Sequence, residues 1–344
     1  MQSALRQPEI YIQLPSQSKY WPKESLALDS NELGICSSCM ADEFSLHIPD
    51  ALLNGTATVK LIESCCPSIN NAWDTPICDV SAILIGIQLA SHLGKSDLNV
   101  ICPKCKEELT YSLNLTSTLS SFNADIWSEE IEVDGLFFSF KPPSYKTFNE
   151  YNINNFKYQK TVFHIKQLNA ALITENILDL LTSSTIELQQ QILEASISSI
   201  TSPGKFRVEN LSFISDYLRD AEHEVMSKLA EHLTRCIASI NPPNLDIQCS
   251  GCNFQMKAPL NLDPSVSFRN RIIQLSEEEV VSTITRLEKE NRNLRADIFK
   301  MMWYMRGSIN IEQAMSLSNQ DRIAISKIID ENLELTKTTH LPFI

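Results

Sequence analysis

Two Cys-x-x-Cys turns stand in the same sequence frame, 147 positions apart, and no other feature of the chain restricts its fold as much. The first frame reads Leu98, Val100, Cys102, Cys105 and then Leu113-Asn114-Leu115. The second reads Leu245, Ile247, Cys249, Cys252 and then Leu260-Asn261-Leu262. In each, alternating apolar residues predict a strand entering the turn, and a second strand leaves it. That is the outline of a zinc knuckle, a hairpin whose turn offers two thiolates. Zinc in a structural site takes four ligands in a tetrahedron, so one knuckle is half a site. The frame therefore predicts that Cys102, Cys105, Cys249 and Cys252 share one structural zinc ion, which fastens distant segments and catalyses nothing. The bland alternative is an old duplication that has lost its metal; the retention of all four thiols speaks against it.

The remaining cysteines are read differently. Cys36 and Cys39 form a third pair without the following Leu-Asn-Leu strand; the pair could replace one knuckle as partner, but is expected to bind nothing. Cys65, Cys66, Cys78 and Cys236 lie among apolar residues and are expected in the core, where a free thiol behaves as a small hydrophobe. Redox chemistry wants the first cysteine at a helix start, and both knuckle pairs are predicted on hairpins. The opening Met1-Gln2-Ser3-Ala4-Leu5-Arg6-Gln7-Pro8 has no apolar signal core, so a reducing cytoplasm is expected, where such pairs read as metal ligands.

Several function classes are disfavoured. The net charge is −13, from 29 basic and 42 acidic residues, which does not suit a phosphate backbone, so no nucleic-acid partner is expected. The longest apolar run, Ala82 to Ala90, is too short to cross a bilayer, so no membrane partner is expected. Only eight glycines occur, and Gly94-Lys95-Ser96 has Leu89 where a phosphate loop needs another glycine; it is read as a helix stop. No HExxH, GxSxG or GxGxxG pattern appears. The six histidines are scattered, with no pair spaced to hold a metal on one helix face. No catalytic residue is assigned. The rivals are a zinc-dependent hydrolase, which would need histidine or carboxylate ligands and an open position, and a zinc-ribbon nucleic-acid binder.

Along the chain, Ile10, Ile12 and Leu14 alternate as a short strand. Residues 50–66 read as one helix ended by Pro67, and residues 79–92 as a buried helix. Ile131 and Val133, Asp134-Gly135, then Leu136, Phe138 and Phe140 give a hairpin with a tight turn. From Ser144 the chain reads as mainly helical, with one apolar face through Ile177, Leu180, Leu181, Leu188, Ile192 and Ala195. Ser202-Pro203-Gly204 breaks it, and helix resumes over 211–240 before Pro242-Pro243. The fold class expected is α+β: two related halves, residues 1–125 and 126–275, each with a knuckle hairpin and helices, followed by a helical extension over 276–344.

That extension has its own character. Ile284, Leu287, Leu294, Ile298, Met301 and Met305 occupy a and d positions of a heptad, with Asn291 at the intervening a. A single Asn there fixes register and strand number in coiled coils. The stripe serves equally for packing on the chain's own body. For a partner surface, the residues selected are Leu287, Asn291, Leu294, Ile298 and the aromatic pair Trp303 and Tyr304, since aromatic side chains are enriched at interfaces. Ser318-Asn319-Gln320-Asp321 predicts a cap for a last helix carrying Ile325, Ile328, Ile329 and Leu333.

Several stretches resemble one family. The segment from Leu5 to Ser16, Pro49-Asp50-Ala51-Leu52-Leu53-Asn54-Gly55, Ser64-Cys65-Cys66-Pro67, the buried helix leading into Cys102-Pro103-Lys104-Cys105, and the run from Pro243 to Cys249 with the Leu-Asn-Leu-Asp after Cys252 look like baseplate hub proteins of T-even-type contractile-tailed bacteriophages. Trp303-Tyr304-Met305-Arg306-Gly307, Glu312-Gln313-Ala314-Met315 and Leu341-Pro342-Phe343-Ile344 resemble a short helical protein found among phage tail genes, here fused to the hub-like part. Cys36-Ser37-Ser38-Cys39-Met40 departs from the family, which has a segment with proline and methionine there. The resemblance implies a non-enzymatic hub component or hub and tail assembly factor. Its partners would be other baseplate or tail proteins, or a second copy. Its location would be the host cytoplasm during assembly and the tail baseplate of the virion. No catalytic residue comes with the resemblance.

Overall fold

In the computed structural model, residues 6–28, 32–92, 95–105, 107–167, 175–204, 206–241, 245–258, 261–273 and 275–339 are described. Strand β1 (Ile10–Ile12) pairs antiparallel with β2 (Leu33–Ile35), and the loop between them is anchored by a buried carboxylate. Asp79 accepts from Ser16 N at 2.9 Å, Ser16 Oγ at 2.5 Å and Trp21 Nε1 at 2.7 Å. Three donors offset the cost of sinking this carboxylate, although burial still raises its pKa.

Helix α1 (Met40–Leu46) follows, and then the helix expected over 50–66 proves to be two. α2 (Pro49–Asn54) stops at Gly55, whose φ of +89° no helix continues through, and α3 (Thr56–Cys65) starts again beyond it. The break has a packing cause as well: a Cβ at Gly55 would lie 2.6 Å from the Asn149 side chain. α4 (Ile77–His92) is the buried helix expected from its apolar run, two residues longer at its start. With β1, β2 and α3 it forms one main core, around Leu33, Ile35, Ile62, Ala82 and Ile83.

The first knuckle is β3 (Lys95–Ile101) and β4 (Glu108–Asn114), a single antiparallel hairpin closed by the short α5 (Leu115–Leu119). Next comes the hairpin of β5 (Glu130–Val133) and β6 (Leu136–Phe140), turned at Asp134 and Gly135, both at positive φ as the sequence requires. Two long helices, α6 (Tyr145–Gln167) and α7 (Glu175–Ser196), return the chain to this hairpin. There β7 (Ile197–Thr201) adds to β6, and β8 (Arg207–Val208) completes a four-stranded antiparallel sheet. β7 is a strand the sequence reading took for helix. Ile197 and Ile200 prolong the apolar spacing of α7, but Ile-Ser-Ser-Ile-Thr is rich in β-branched residues, and pairing with the exposed edge of β6 decides its conformation.

Helix α8 (Leu211–Asp220) and α9 (His223–Ile240) divide the stretch read as one segment over 211–240. They cover the sheet, and Phe138, Leu193, Ile214, Leu229 and Leu233 form the second main core. The second knuckle is β9 (Leu245–Gln248) and β10 (Gln255–Ala258), followed by α10 (Pro264–Ile272). The order helix, knuckle, helix therefore occurs twice, and α4 packs directly against α9.

A buried polar joint ties α10 to the first part of the chain. Asp263 caps α10 by accepting from Ser265 N and Val266 N, and its carboxylate also accepts from Thr58 Oγ1 at 2.6 Å and Tyr145 Oη at 2.9 Å. The buried Arg269 donates from Nη1 to Leu53 O at 2.8 Å. The long α11 (Glu277–Tyr304) starts with a capping box at Ser276 and Glu279, then α12 (Ile311–Met315) and α13 (Asn319–Thr339) complete the tail. α13 is capped as expected, with Asp321 N donating to Ser318 Oγ at 3.1 Å. Short antiparallel sheets among helices make this an α+β fold, as the sequence indicated. The helix stop at Gly94, the Pro242-Pro243 break, Leu260 and the closing Leu341 to Ile344 lie outside the described residues.

A four-thiol candidate metal centre

Each knuckle turn is built by the same backbone bonds at equivalent positions. Cys102 N donates to Glu107 O at 2.9 Å, and Cys249 N donates to Phe254 O at 3.0 Å. Ile101 pairs with Glu108, as Gln248 pairs with Gln255. The N–H groups of Lys104 and Cys105 turn toward Cys102 Sγ, and those of Gly251 and Cys252 toward Cys249 Sγ. The duplication seen in the sequence is thus a duplication of turn geometry.

The four sulfurs converge, all lying within 4.8 Å of one another. Cys102 Sγ is 3.6 Å from Cys252 Sγ, and Cys105 Sγ is 3.4 Å from Cys249 Sγ. A disulfide would hold its sulfurs at about 2.05 Å, so neither contact is one. Four thiolates about 2.3 Å from a central zinc sit about 3.8 Å apart along each edge of the tetrahedron. The 3.6 and 3.4 Å contacts fall near that figure, and with all four sulfurs within 4.8 Å the cluster is of a size to hold such a metal. The inner pair, Cys102 and Cys249, is fully buried, while Cys105 is exposed. Backbone donors, Cys105 N–H foremost, pull the Cys102 thiol down to about 6. Burial pushes the Cys249 thiol up. A set made wholly of soft sulfur donors suits zinc and other thiophilic ions.

One residue the sequence reading passed over also reaches the cluster. The Glu107 carboxylate receives Cys249 Sγ at 3.4 Å, Cys105 Sγ at 3.9 Å and Ser250 Oγ at 3.4 Å. In this conformer it fills the space beside Gly251, where a Cβ would stand 2.0 Å from Glu107 Oε2. Phe254 holds the equivalent place in the second frame, so the repeat carries no trace of this carboxylate.

Among the described residues no other group of three or more potential ligands converges in this way. Cys65 and Cys66 are buried in the first core and Cys36 and Cys39 are buried near it, where Arg6 bridges Asp42 at 3.0 Å and Cys65 Sγ at 3.4 Å. Burial raises all four thiols, so they stay protonated and behave as core side chains. Cys78 and Cys236 are likewise buried and raised.

The tail residues selected as a partner surface fall into two groups. Leu287 is buried with Leu52, Phe268 and Ile272, and Ile298 with Met40 and Ala314; Leu294 packs at the edge of that second cluster. Asn291 and Tyr304 are half-buried. Trp303 is 81% exposed and lines an open apolar groove with Phe299, Met302 and Leu333, between α11 and α13. The tail is held on α1 by Met40 N donating to Leu317 O at 3.1 Å and by an ion pair of Arg322 with Glu43. No helix among the described residues is long and apolar enough to cross a membrane.

No curated protein and no solved structure matches the chain. A family model described as T4 bacteriophage base plate protein matches residues 40–268, which spans both knuckles, the four-stranded sheet and the start of α10. The match covers well over half of the sequence, and the chain belongs to the T4 bacteriophage base plate protein family.

Proposed function

We propose that this chain is a component of the baseplate hub, or an assembly factor for hub and tail, working through protein–protein contacts and stabilised by one structural zinc on Cys102, Cys105, Cys249 and Cys252. The family supports a structural role in the phage baseplate, with other phage structural proteins as partners. The convergence of four thiols from two hairpins supports the metal. Four protein ligands leave no coordination position open for water or substrate, which favours a metal that holds the two hairpins together over one that acts on a substrate. We further propose that residues 1–125 and 126–275 work as two related halves joined at this metal. The segment 276–344 would then present the exposed Trp303 and its groove to a baseplate or tail partner. Zinc absorption spectroscopy on the purified chain tests the metal: one ion per chain with four sulfur neighbours is expected, and an ion with oxygen from water in its shell would favour the hydrolase. Mass spectrometry of purified tails tests the role. Recovery of the polypeptide in finished particles marks a component, and its presence only in assembly intermediates marks a factor that departs.

A further inference from the structure

The two knuckles repeat each other in backbone, hydrogen bonds and thiols, and they differ at the one place where a carboxylate touches the sulfurs. Position 104 of the first frame is lysine and its counterpart 251 is glycine; position 107 is glutamate and its counterpart is Phe254. The glycine leaves open the space that the Glu107 carboxylate occupies in this conformer. Glu107 Oε2 stands 3.4 Å from Cys249 Sγ and 3.9 Å from Cys105 Sγ. An oxygen and a sulfur bound to the same zinc are spaced by about 3.6 Å, given bonds near 2.1 and 2.3 Å. The oxygen thus has ligand spacing from two of the four sulfurs. One of those two, Cys105, is the exposed thiol of the set.

We propose that Glu107 is a reserve ligand for the metal, exchanging with Cys105 so that the site passes between a four-sulfur and a three-sulfur, one-oxygen form. This rests on the metal reading above. In the exchange the Glu107 carboxylate oxygen supplies an electron pair for a new bond to zinc. The bond from zinc to Cys105 Sγ breaks, and its pair leaves on sulfur. One anionic ligand replaces another, so the charge of the site is unchanged, and the released thiolate takes a proton from water. The consequence is a metal that is held for structure yet can be surrendered by an associative route. Such a route suits a protein that has to change neighbours during assembly.

Cobalt(II) titration of the full chain under reducing conditions separates the possibilities, because the visible bands of the ion report sulfur against oxygen ligation. C105A is expected to keep one cobalt per chain, with its bands moved to shorter wavelength as Glu107 takes the vacant place. C105A/E107Q is expected to lose the tetrahedral spectrum, and C102A to lose it too, since the sulfurs Glu107 contacts are those of Cys105 and Cys249. In the otherwise native chain, E107Q is expected to slow the loss of cobalt to a chelator. That measurement stands even if the cysteine variants fail to fold. Equal cobalt binding by C105A and C105A/E107Q, or an unchanged release rate in E107Q, overturns the proposal while leaving the four-sulfur site intact. A wild-type chain that takes up no cobalt overturns the metal reading itself.

Discussion

Asp263 shows how much one side chain can hold. It caps α10 and accepts from Thr58 and Tyr145, so its removal costs a helix cap, strands the Tyr145 hydroxyl and leaves Thr58 only its bond with Ser265 Oγ. D263A is expected to destabilise the chain by roughly 3 kcal/mol, read as a lower urea midpoint at unchanged slope. His232 offers a test by pH. It is buried against the Phe140 ring, 4.6 Å between centroids, and receives Arg235 Nη2 at Nδ1. Burial first, and the Arg235 charge second, lower its pKa. The unfolded chain therefore binds a proton that the native chain refuses. Stability from this residue is intact above about pH 6.5 and declines as pH falls from there to the lowered native value. Urea unfolding at pH 7.5 and 5.5 should show this loss, and H232Q should shrink it. At this scale the sequence was legible where chemistry repeats, as in the four knuckle cysteines. It was silent on Glu107 and Asp263, whose roles depend on partners that come from remote segments: Gly251 and Ser250 for one, Thr58 and Tyr145 for the other.

Among the elements, α11 carries the clearest contrast. Its heptad stripe was readable, but periodicity alone could not name the surface it meets. The chain's own body covers Leu287 and Ile298, and leaves Trp303 and Phe299 to solvent. I298A should cost about 2–4 kcal/mol, because it opens a cavity between Met40 and Ala314. W303A should leave the urea midpoint within about 0.5 kcal/mol of wild type and, on the proposed role, weaken capture of tail proteins from infected-cell extracts. The same limit explains the other elements. Helices with strong apolar runs, such as α4, and the hairpin turned by Asp134-Gly135 declare themselves locally. β7 does not, since a two-isoleucine segment takes its conformation from the strand beside it. The split at Gly55 was legible only in part: the glycine is visible in the sequence, while the Asn149 side chain that fills its place is not.

For the whole molecule, the four-thiol cluster and the polar joint at Asp263 bring together the same two regions of chain, one through sulfur and one through hydrogen bonds. Metal binding to the native state alone adds to its stability. Chelation of a zinc-loaded sample should therefore lower Tm by roughly 5–15 °C, followed by calorimetry with and without added zinc. The antiparallel pairing of short strands and the duplicated knuckles made the fold class readable. The docking of the tail on α1, through Met40, Glu43 and Arg322, was not, because nothing local marks α1 as a receiving surface. The distance between the knuckles has a final consequence during synthesis. On the proposed zinc site, Cys102 and Cys105 would leave the ribosome with only half a coordination shell and would wait for Cys249 and Cys252. At ordinary elongation rates that delay is about 7–30 s. The proposed ion would be locked in only after the second knuckle has emerged, so its capture would mark a late stage of translation.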